Sequence, residues 1–319
     1  MGKGKHARSG LASPSKPLTL AMVAVVVAVA FWFLQPNHPG GPKQTPHPDS
    51  ITTATTTSTT IPAVGALQRQ IERYIASRSG EIGVGYEDVA TGHVVVFGSQ
   101  HPQVEASVVK VNILGAILHQ LGPTGQLSAS DSAIASRMIE VSDNDAATQL
   151  WNSAGGTKGL TKFDEEIGLS KTTLSSCVVC PSFPWPGWGL SATTPADELV
   201  LLRTLFFQTG LVSRSSKSFL NSLMLNVIPS ERWGVSSGVP TTAMVSLKNG
   251  WLPLNSSSTN WQINSVGWVR GDGRNYLLAM FSTGNPYEQY GIDTLNSIGS
   301  QVWNGLAATP PTAAPYEER

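Results

Sequence analysis

The chain has 319 residues, 40% of them hydrophobic and 13% charged, and its 21 Lys and Arg side chains are balanced by 21 Asp and Glu. This length is enough for one large domain or two smaller ones with a substantial buried core. Five of the basic residues and only one acidic residue precede residue 63, so the rest of the chain is mildly acidic. Because nucleic-acid binding requires a concentrated basic surface, we expect no nucleic-acid partner.

The first 34 residues have the pattern of a membrane anchor. Residues 1–16 carry four basic side chains and no acid, and residues 17–34 carry no charge. An apolar run of this length lies at the lower limit for crossing a bilayer and exceeds the usual core of a cleaved signal peptide. The basic flank predicts a cytoplasmic tail and an extracytoplasmic remainder, so we expect a single-pass signal anchor in the cell membrane. Cleavage of this segment stays an open alternative.

Residues 35–62 are rich in Pro and Thr and almost free of large apolar side chains. Such a segment cannot bury enough surface to fold, so we expect a disordered linker. In an extended, polyproline-like state it reaches roughly 90 Å, which is enough to hold a domain away from the membrane. We expect one folded domain at residues 63–306 and a disordered tail at residues 307–319, in a protein that is a monomer in the cell envelope.

The folded region begins with a predicted helix and a pair of strands. Apolar residues recur at helical spacing over residues 65–77, which predicts an amphipathic helix. Residues 81–98 predict two strands joined by a turn. From residue 107 to about residue 207 the pattern is mostly helical, and the four prolines of residues 175–195 interrupt it with a long loop.

Strands return late in the chain. Strand patterns cover residues 243–250, 260–270 and 275–282, and Gly271-Asp272-Gly273 predicts a hairpin turn between the last two. We expect a closing helix at residues 287–306. Strands at both ends with helices between them predict an α/β (α+β) fold, in which both ends of the region complete one antiparallel sheet and a helical lobe is inserted.

The two cysteines, Cys177 and Cys180, lie in the proline-rich loop. A structural zinc site usually needs four ligands, and a thioredoxin-like motif needs a βαβ setting that this loop does not offer. In an oxidising compartment a local disulfide is the expected state. Three of the six histidines precede the folded region, so we expect no metal site and no cofactor.

A lysine, Lys110, lies in an otherwise apolar helical run, three residues after Ser107. Residues three apart share a helix face, so the hydroxyl and the amine are expected within hydrogen-bond reach. The S-x-x-K pattern alone is weak evidence, because Ser13 and Lys16 also match it in the predicted cytoplasmic tail. The plain structural interpretation is a lysine whose ammonium group reaches solvent at the helix surface.

Two further motifs follow in the chain. Ser142-Asp143-Asn144 lies between predicted helices, where these residue types are also good N-caps, and Lys248-Asn249-Gly250 ends a predicted strand. With Ser107 and Lys110, their order resembles the S-x-x-K, S-D-N and K-T-G signature of class A β-lactamases and the related D,D-peptidases. The resemblance covers about residues 63–306. It implies an antiparallel sheet flanked by the N- and C-terminal helices, with an inserted all-helical lobe.

The resemblance implies catalytic roles for three residues. Ser107 would be the nucleophile, with its own N–H and that of Trp251 forming the oxyanion hole. Lys110 would be the base that takes the hydroxyl proton, which requires that burial and repulsion from Lys248 lower the pKa of its amine. Ser142 would relay a proton to the departing nitrogen.

The same resemblance assigns the other motif residues to substrate binding. Asn144 would hold the substrate's amide and Lys248 would attract its carboxylate, while Gly250 and Trp251 follow in the strand that borders the site. Asn249 departs from the family pattern, because it puts an amide where K-T-G has a hydroxyl. It is still expected among the substrate-binding residues. The implied substrate is a β-lactam or a peptidoglycan-like amide.

Two further departures concern turnover. No Asp or Glu occurs from Ile167 to Ala196, where the resemblance implies a loop glutamate that positions the deacylating water. The segment from Val108 to Val141, between the first two motifs, has only 34 residues, which suggests that a substrate-facing wall is missing. We therefore expect acylation to survive and hydrolysis of the acyl-enzyme to be slow.

Several functions stay open at this point. The first is a serine hydrolase of the β-lactamase group, and the second is a D,D-peptidase-like penicillin-binding protein. A catalytically weak cell-wall ligand-binding protein is supported by the missing glutamate and by Asn249. A structural wall-contact domain gains support only from Trp185 and Trp188, and tryptophans in such a loop more often pack against the core than stack on sugars.

Overall fold

The computed structural model describes residues 60–180 and 186–306. The predicted cytoplasmic tail, signal anchor and C-terminal tail lie outside the described residues, as does most of the predicted linker. The first helix begins at Thr60, so the domain boundary predicted at residue 63 falls inside a helix. Among the helices of the described residues, none is long and apolar enough to cross a bilayer.

Eight α-helices and seven strands are found in the described part of the chain. The helices are α1 (Thr60–Ala76), α2 (Val109–Gln120), α3 (Ala129–Glu140), α4 (Asn144–Ser153), α5 (Gly156–Ile167), α6 (Pro195–Phe206), α7 (Arg214–Leu225) and α8 (Glu288–Gly305). The strands are β1 (Glu81–Asp88), β2 (Val94–Gly98), β3 (Gln103–Val104), β4 (Ala192–Thr193), β5 (Met244–Pro253), β6 (Trp261–Gly271) and β7 (Arg274–Asn285).

The main sheet has five antiparallel strands in the order β2-β1-β7-β6-β5, and β3 pairs separately with β4. Strand β1 lies beside β7, with Gly83 opposite Phe281, so the first and last strands of the chain are neighbours within the sheet. Helices α2 to α7 come between β2 and β5 in the chain and supply the inserted lobe. The predicted α/β fold, with its sheet built from both ends of the region, is confirmed.

The hairpin between β6 and β7 turns through two residues, Asp272 and Gly273, with φ of +48° and +74°. Positive φ at both central positions matches the right-handed twist of the flanking strands, and glycine and aspartate tolerate it well. The predicted turn is therefore present, and β5, the strand that carries Lys248, pairs with the other side of β6 at the sheet edge.

Helices cover both faces of the sheet. Successive side chains of β1 point to opposite faces, so Val84 and Tyr86 face one layer while Gly83 and Gly85 face the other. Val84 and Tyr86 are buried in the core that includes α1 and α8. A Cβ added at Gly85 would lie 2.9 Å from Leu199 Cδ1, which shows how closely α6 packs on the second face.

Helix α2 forms the centre of the lobe. Ten of its twelve residues are buried, from Val109 to Leu118, so it is apolar almost all the way round rather than on one face. A helix of this kind belongs in the interior of a domain. The consequence is that Lys110, in its first turn, is carried into the core and does not reach solvent as the plain structural interpretation required.

Candidate active site

Ser107 lies in a 3-10 turn, Ala106–Val108, that leads directly into α2. Ala106 has φ +50°, a left-handed backbone conformation that residues other than glycine rarely adopt. Such strain costs on the order of 1–3 kcal/mol and persists only where the surroundings hold it. Ser107 is half-buried, and its Oγ makes no hydrogen bond to any residue that the structure describes. The hydroxyl is therefore available to a substrate.

Strand β5 borders this turn at the edge of the sheet. A Cβ added at Gly250 would lie 2.7 Å from Ser107 N and 2.8 Å from Val108 N, closer than a Cβ atom normally comes to backbone. Only glycine lets the strand approach the turn this closely. The Lys248-Asn249-Gly250 motif thus meets the nucleophile's turn through its glycine, and Trp251 continues the strand beyond it.

The Lys110 amine is fully buried and binds the second motif. Its Nζ lies 2.5 Å from Ser142 O, 3.1 Å from Ser142 Oγ and 2.7 Å from Asn144 Oδ1. The hydrogen bond expected between Ser107 Oγ and Lys110 Nζ is not formed among the described residues. That expectation is corrected for a plain reason: helix spacing puts the two side chains on one face, but acceptors from a distant segment occupy the amine.

Ser142 joins the three motifs. Its backbone has φ +56°, which turns the residue toward the lysines between α3 and α4. Its Oγ lies 3.1 Å from Lys110 Nζ and 3.0 Å from Lys248 Nζ. Side chains that are 32 and 106 residues apart in sequence from Ser142 therefore converge on one hydroxyl.

A carboxylate that the sequence analysis missed completes this cluster. Glu231 Oε2 lies 3.2 Å from Lys248 Nζ, and both side chains are buried. Lys248 Nζ also donates to Asn249 O at 2.9 Å. Glu231 ends a 3-10 turn, Pro229–Glu231, outside every recognised motif, and no local pattern in the sequence indicates that it reaches Lys248.

Burial lowers the pKa of both lysines. The pKa of Lys110 falls to about 6, first because burial penalises its charged form and second because Lys248 repels it, while Glu231 and Asp143 act in the opposite direction. Burial also lowers the pKa of Lys248, but the ion pair with Glu231 opposes that shift. The Glu231 carboxylate lies against Lys248 and not against Lys110, so it favours Lys248 as the cation of the pair.

Asn144 and Asp143 divide two roles between them. Asp143 caps α4 by accepting from Ala146 N at 2.9 Å and lies 3.6 Å from Arg137 Nε. Asn144 Oδ1 accepts from Lys110, which leaves its Nδ2 donors without a partner in the described part of the chain. The motif is therefore both a helix cap and a polar wall of the site, as its residue types allow.

Asn249 is placed differently from the expectation that it contacts substrate. Its side chain is fully buried, and its Nδ2 donates to Glu231 O at 2.7 Å and to Trp233 O at 3.1 Å. This corrects the expectation, because alternation along β5 turns the amide into the protein, where it holds the segment that carries Glu231. Asn249 supports the lysine cluster from behind instead of lining the cleft.

Trp188 occupies the loop where the resemblance implies an acid. It is 2% exposed, its Nε1 donates to Thr148 Oγ1 at 3.2 Å, and its ring centroid lies 5.2 Å from Lys110 Nζ. The loop therefore presents the Trp188 indole to Lys110 where the resemblance implies a carboxylate. An indole has an N–H donor but no basic atom. A sugar-stacking role is wrong for Trp188 because it is buried, and Trp185 lies outside the described residues.

Cys177 and Cys180 form a disulfide in the same loop. The loop then continues through β4, and α6 begins at Pro195. Thr194 caps this helix, because its Oγ1 accepts from Asp197 N at 3.2 Å. Across the described ranges, no group of three or more His, Cys, Asp or Glu side chains is arranged to hold a metal ion.

Comparison with known proteins agrees with this architecture. Residues 123–306 match the family model of the β-lactamase enzyme family, a match that begins after Ser107 and Lys110. An ancestral class A β-lactamase (GNCA) superposes with a TM-score of 0.61 at 20% identity, over 75% of this chain and 100% of that one.

Two further solved structures are similar at comparable identity. A class A β-lactamase from Bacteroides cellulosilyticus gives a TM-score of 0.64 at 17% identity, over 76% of this chain and 98% of that one. The TLA-1 extended-spectrum β-lactamase gives a TM-score of 0.66 at 17% identity, over 76% of this chain and 99% of that one. These likenesses establish the fold, and the family model covers more than half of the chain. The chain therefore belongs to the β-lactamase enzyme family and has the class A β-lactamase fold.

Proposed function

We propose that this protein is an extracytoplasmic serine hydrolase that forms an acyl-enzyme on Ser107 with β-lactams or peptidoglycan-like amides and releases it slowly. The observation that carries the proposal is the position of Ser142 Oγ, 3.1 Å from Lys110 Nζ and 3.0 Å from Lys248 Nζ. A half-buried hydroxyl between two buried amines, beside a turn with an unbonded serine, is suited to moving a proton.

The hydrogen bonds around Lys110 fit a neutral amine. A neutral amine has two N–H donors and one lone pair, and its two short contacts are to a carbonyl oxygen and an amide oxygen, which can only accept. A charged Lys110 donates to Ser142 Oγ, whereas the lone pair of a neutral Lys110 accepts from the Ser142 hydroxyl, and the hydroxyl oxygen accepts from the Lys248 ammonium group. This gives one direction of donation, from Lys248 through Ser142 to Lys110.

Acylation follows from these groups. Ser107 Oγ attacks the carbonyl carbon of the lactam or amide, and its proton passes to the lone pair of the neutral Lys110 amine, which the Ser142 hydroxyl releases as it turns toward the leaving nitrogen. Backbone N–H groups of Ser107 and Trp251 hold the developing oxyanion. The proton then moves through the Ser142 hydroxyl to the nitrogen whose bond to the carbonyl carbon breaks. A β-lactam keeps both fragments, so the adduct has the mass of the intact drug.

Substrate binding uses the remaining polar groups of the cleft. The Nδ2 donors of Asn144 are available for a substrate carbonyl, because its Oδ1 is already held by Lys110. The positive charge of Lys248 favours a substrate carboxylate. Asn249 contributes only indirectly, by holding the segment around Glu231.

Slow deacylation is expected because the loop provides no base for water. The run from Ile167 to Ala196 contains no Asp or Glu that could act as the base, and Trp188 lies against Lys110. Positioned general bases contribute about 10²–10⁴-fold to such steps. A long-lived adduct would make the protein behave as a penicillin-binding protein of the D,D-peptidase type, and rapid release would make it a β-lactamase.

A location outside the cytoplasm is supported by the sequence of residues 1–34, a basic tail followed by an uncharged apolar run. The disulfide between Cys177 and Cys180 is also typical of an oxidising compartment. Fractionation of cells that express the full-length chain, with protease added outside the membrane, tests this part. Digestion of the folded domain without lysis supports it, and protection of the domain contradicts it.

The acyl-enzyme is tested by intact-mass spectrometry of the full-length protein after incubation with benzylpenicillin. We expect a mass increase equal to one intact penicillin on the wild type and none on Ser107→Ala. Loss of the adduct within seconds of removing free drug would contradict the slow-deacylation part alone. Absence of any adduct, under conditions that label a known penicillin-binding protein, would overturn the proposal.

A non-covalent ligand-binding protein is the second candidate, favoured by the absence of a Ser107–Lys110 hydrogen bond in the described residues and by Trp188. Equilibrium binding of benzylpenicillin discriminates between the two. A pure binder keeps its affinity in Ser107→Ala and gives no covalent product in either form.

A further inference from the structure

A second cavity lies away from Ser107, between the end of α6, the first half of α7 and the far end of β6. Its volume is about 550 Å³, within the range of pockets that hold small molecules. None of its lining residues belongs to the three motifs of the candidate active site. The side chains that characterise it are Phe206, Phe207, Arg214, Lys217, Trp268 and Arg270.

Three aromatic rings form a rigid wall of this cavity. The Trp268 ring packs edge-on against Phe207, with ring centroids 5.0 Å apart, and tilts against Phe206 at 5.2 Å. Trp268 Nε1 donates to Asn275 Oδ1 at 2.7 Å, which fixes the plane of the indole. A wall of this kind favours an apolar or aromatic body in the ligand.

The guanidinium group of Arg270 is stacked on this wall and has few partners. Its Cζ lies 4.1 Å from the Trp268 ring centroid. Its one hydrogen bond within the described residues is the weak contact from Nη2 to Met244 Sδ at 3.6 Å. Its Nε is buried without a hydrogen-bond partner in the described chain, and no carboxylate there pairs with the group. Burial lowers the pKa of Arg270, with no acid to oppose it.

The charge of the lining has one sign. Arg214, Lys217 and Arg270 contribute three cations, and the lining residues include no Asp or Glu. Within the described residues the Nη1 and Nη2 donors of Arg270 make only the weak contact to Met244, and a cation in that position favours an anion that can bind both in a forked geometry. An aromatic wall and a forked donor are together complementary to a flat ligand that ends in a carboxylate.

We propose that this cavity is a binding site for a small aromatic carboxylate, with Arg270 binding the carboxylate and Trp268, Phe206 and Phe207 contacting the ring. Lys217, which also lines the cavity, adds attraction for the negative charge. The site is separate from the Ser107 cluster and does not depend on the proposed acyl-enzyme.

The test uses the full-length protein with 2-naphthoate as the probe and its neutral analogue, 2-naphthamide, as the matched control ligand. Binding is measured by isothermal titration calorimetry. We expect 2-naphthoate to bind with a Kd on the order of 0.1 mM and 2-naphthamide to bind at least about tenfold more weakly, because only the carboxylate can use both donors of the guanidinium.

Variants assign the site to Arg270. We expect Arg270→Gln to weaken naphthoate binding about tenfold or more. Arg270→Lys should give an intermediate loss, since it keeps the positive charge but not the paired N–H donors of the guanidinium. Lys162→Gln, which removes an exposed cation from α5, serves as the control and should leave binding unchanged.

Three results would overturn the proposal. The first is no detectable binding of naphthoate at about 1 mM, and the second is equal binding of the acid and the amide. The third is wild-type affinity in Arg270→Gln, which would place the bound carboxylate elsewhere, for example at Lys248. If Arg270→Gln fails to fold, the comparison of the two ligands on the wild type and the result for Arg270→Lys still decide.

Discussion

Lys110 and Lys248 hold the same hydroxyl, with their Nζ atoms 3.1 and 3.0 Å from Ser142 Oγ. Two ammonium groups so close together and both buried would repel strongly, so the arrangement favours one neutral and one charged amine. The carboxylate of Glu231 favours Lys248 as the charged amine, because it pairs with Lys248 and not with Lys110. The geometry therefore produces a base and an acid from two identical side chains.

Replacing Glu231 tests this division of charge. Glu231→Gln leaves the buried Lys248 without a negative partner, and we expect the free energy of unfolding to fall by about 3 kcal/mol, measured by urea unfolding. Because Glu231 raises the pKa of Lys110, its loss should also move the midpoint of the acylation rate to lower pH. Glu166→Gln, at an exposed acid on α5, is the control, and equal effects of the two changes would contradict the assignment.

Gly250→Ala tests the contact between β5 and the nucleophile's turn. The added Cβ would lie 2.7 Å from Ser107 N, so either the strand or the turn has to move. A displacement of this size at a reacting group costs on the order of 10²-fold, and we expect at least that loss in the acylation rate by stopped-flow mixing with a reporter penicillin.

The control for that change is Gly65→Ala in α1, where a Cβ meets only the end of Arg69 at 3.6 Å. It should acylate at the wild-type rate. A Gly250→Ala protein with unchanged kinetics would show that the turn does not depend on the close approach of β5.

The buried acid Glu198, on α6, predicts how stability changes with pH. Burial, and then the negative charges of Asp164 and Asp197, raise its pKa from 4.5 to about 8. Between these values the folded protein binds more protons than the unfolded chain, so this group makes the protein less stable as pH rises from about 5 to about 8. Lys110, with its pKa lowered to about 6, acts in the opposite direction above about pH 6.

The Glu198→Gln variant separates the two contributions, because an amide resembles the protonated acid and does not titrate. We expect the unfolding free energy of the variant, relative to wild type, to rise by about 3 kcal/mol between about pH 5 and about pH 8 in urea unfolding. Glu72→Gln, at an exposed position of α1, should show no such rise. A difference that stays constant with pH in Glu198→Gln would mean that the acid is not buried in its neutral form.

The fold was predictable because its signals are local. Strand-like runs marked β6 and β7, the Asp272-Gly273 turn indicated their pairing, and apolar residues at helical spacing marked α1. The start of α1 was not predictable. The helix begins at Thr60, inside a proline- and threonine-rich stretch whose composition favours a linker. Helix boundaries depend on packing at the ends, which composition does not report.

The site was predictable only as far as its motifs reached. The family resemblance of the ordered motifs placed Ser107, Lys110, Ser142 and Lys248 in one region, but it did not show that Lys110 would bind the second motif in place of Ser107. Glu231 and the inward turn of Asn249 depend on packing between distant segments. Long-range contacts of this kind leave no periodic trace in the sequence.

The most direct test of the account is the pH dependence of acylation in the wild-type protein. A neutral Lys110 base predicts a rate that rises with pH, has its midpoint near the Lys110 pKa of about 6, and is constant by about pH 8. The rate of adduct formation with benzylpenicillin, followed by quenched-flow mass spectrometry across this range, measures it. A midpoint at about pH 10, the ordinary value for a solvated lysine, would contradict the claim that Lys110 acts as a buried neutral amine.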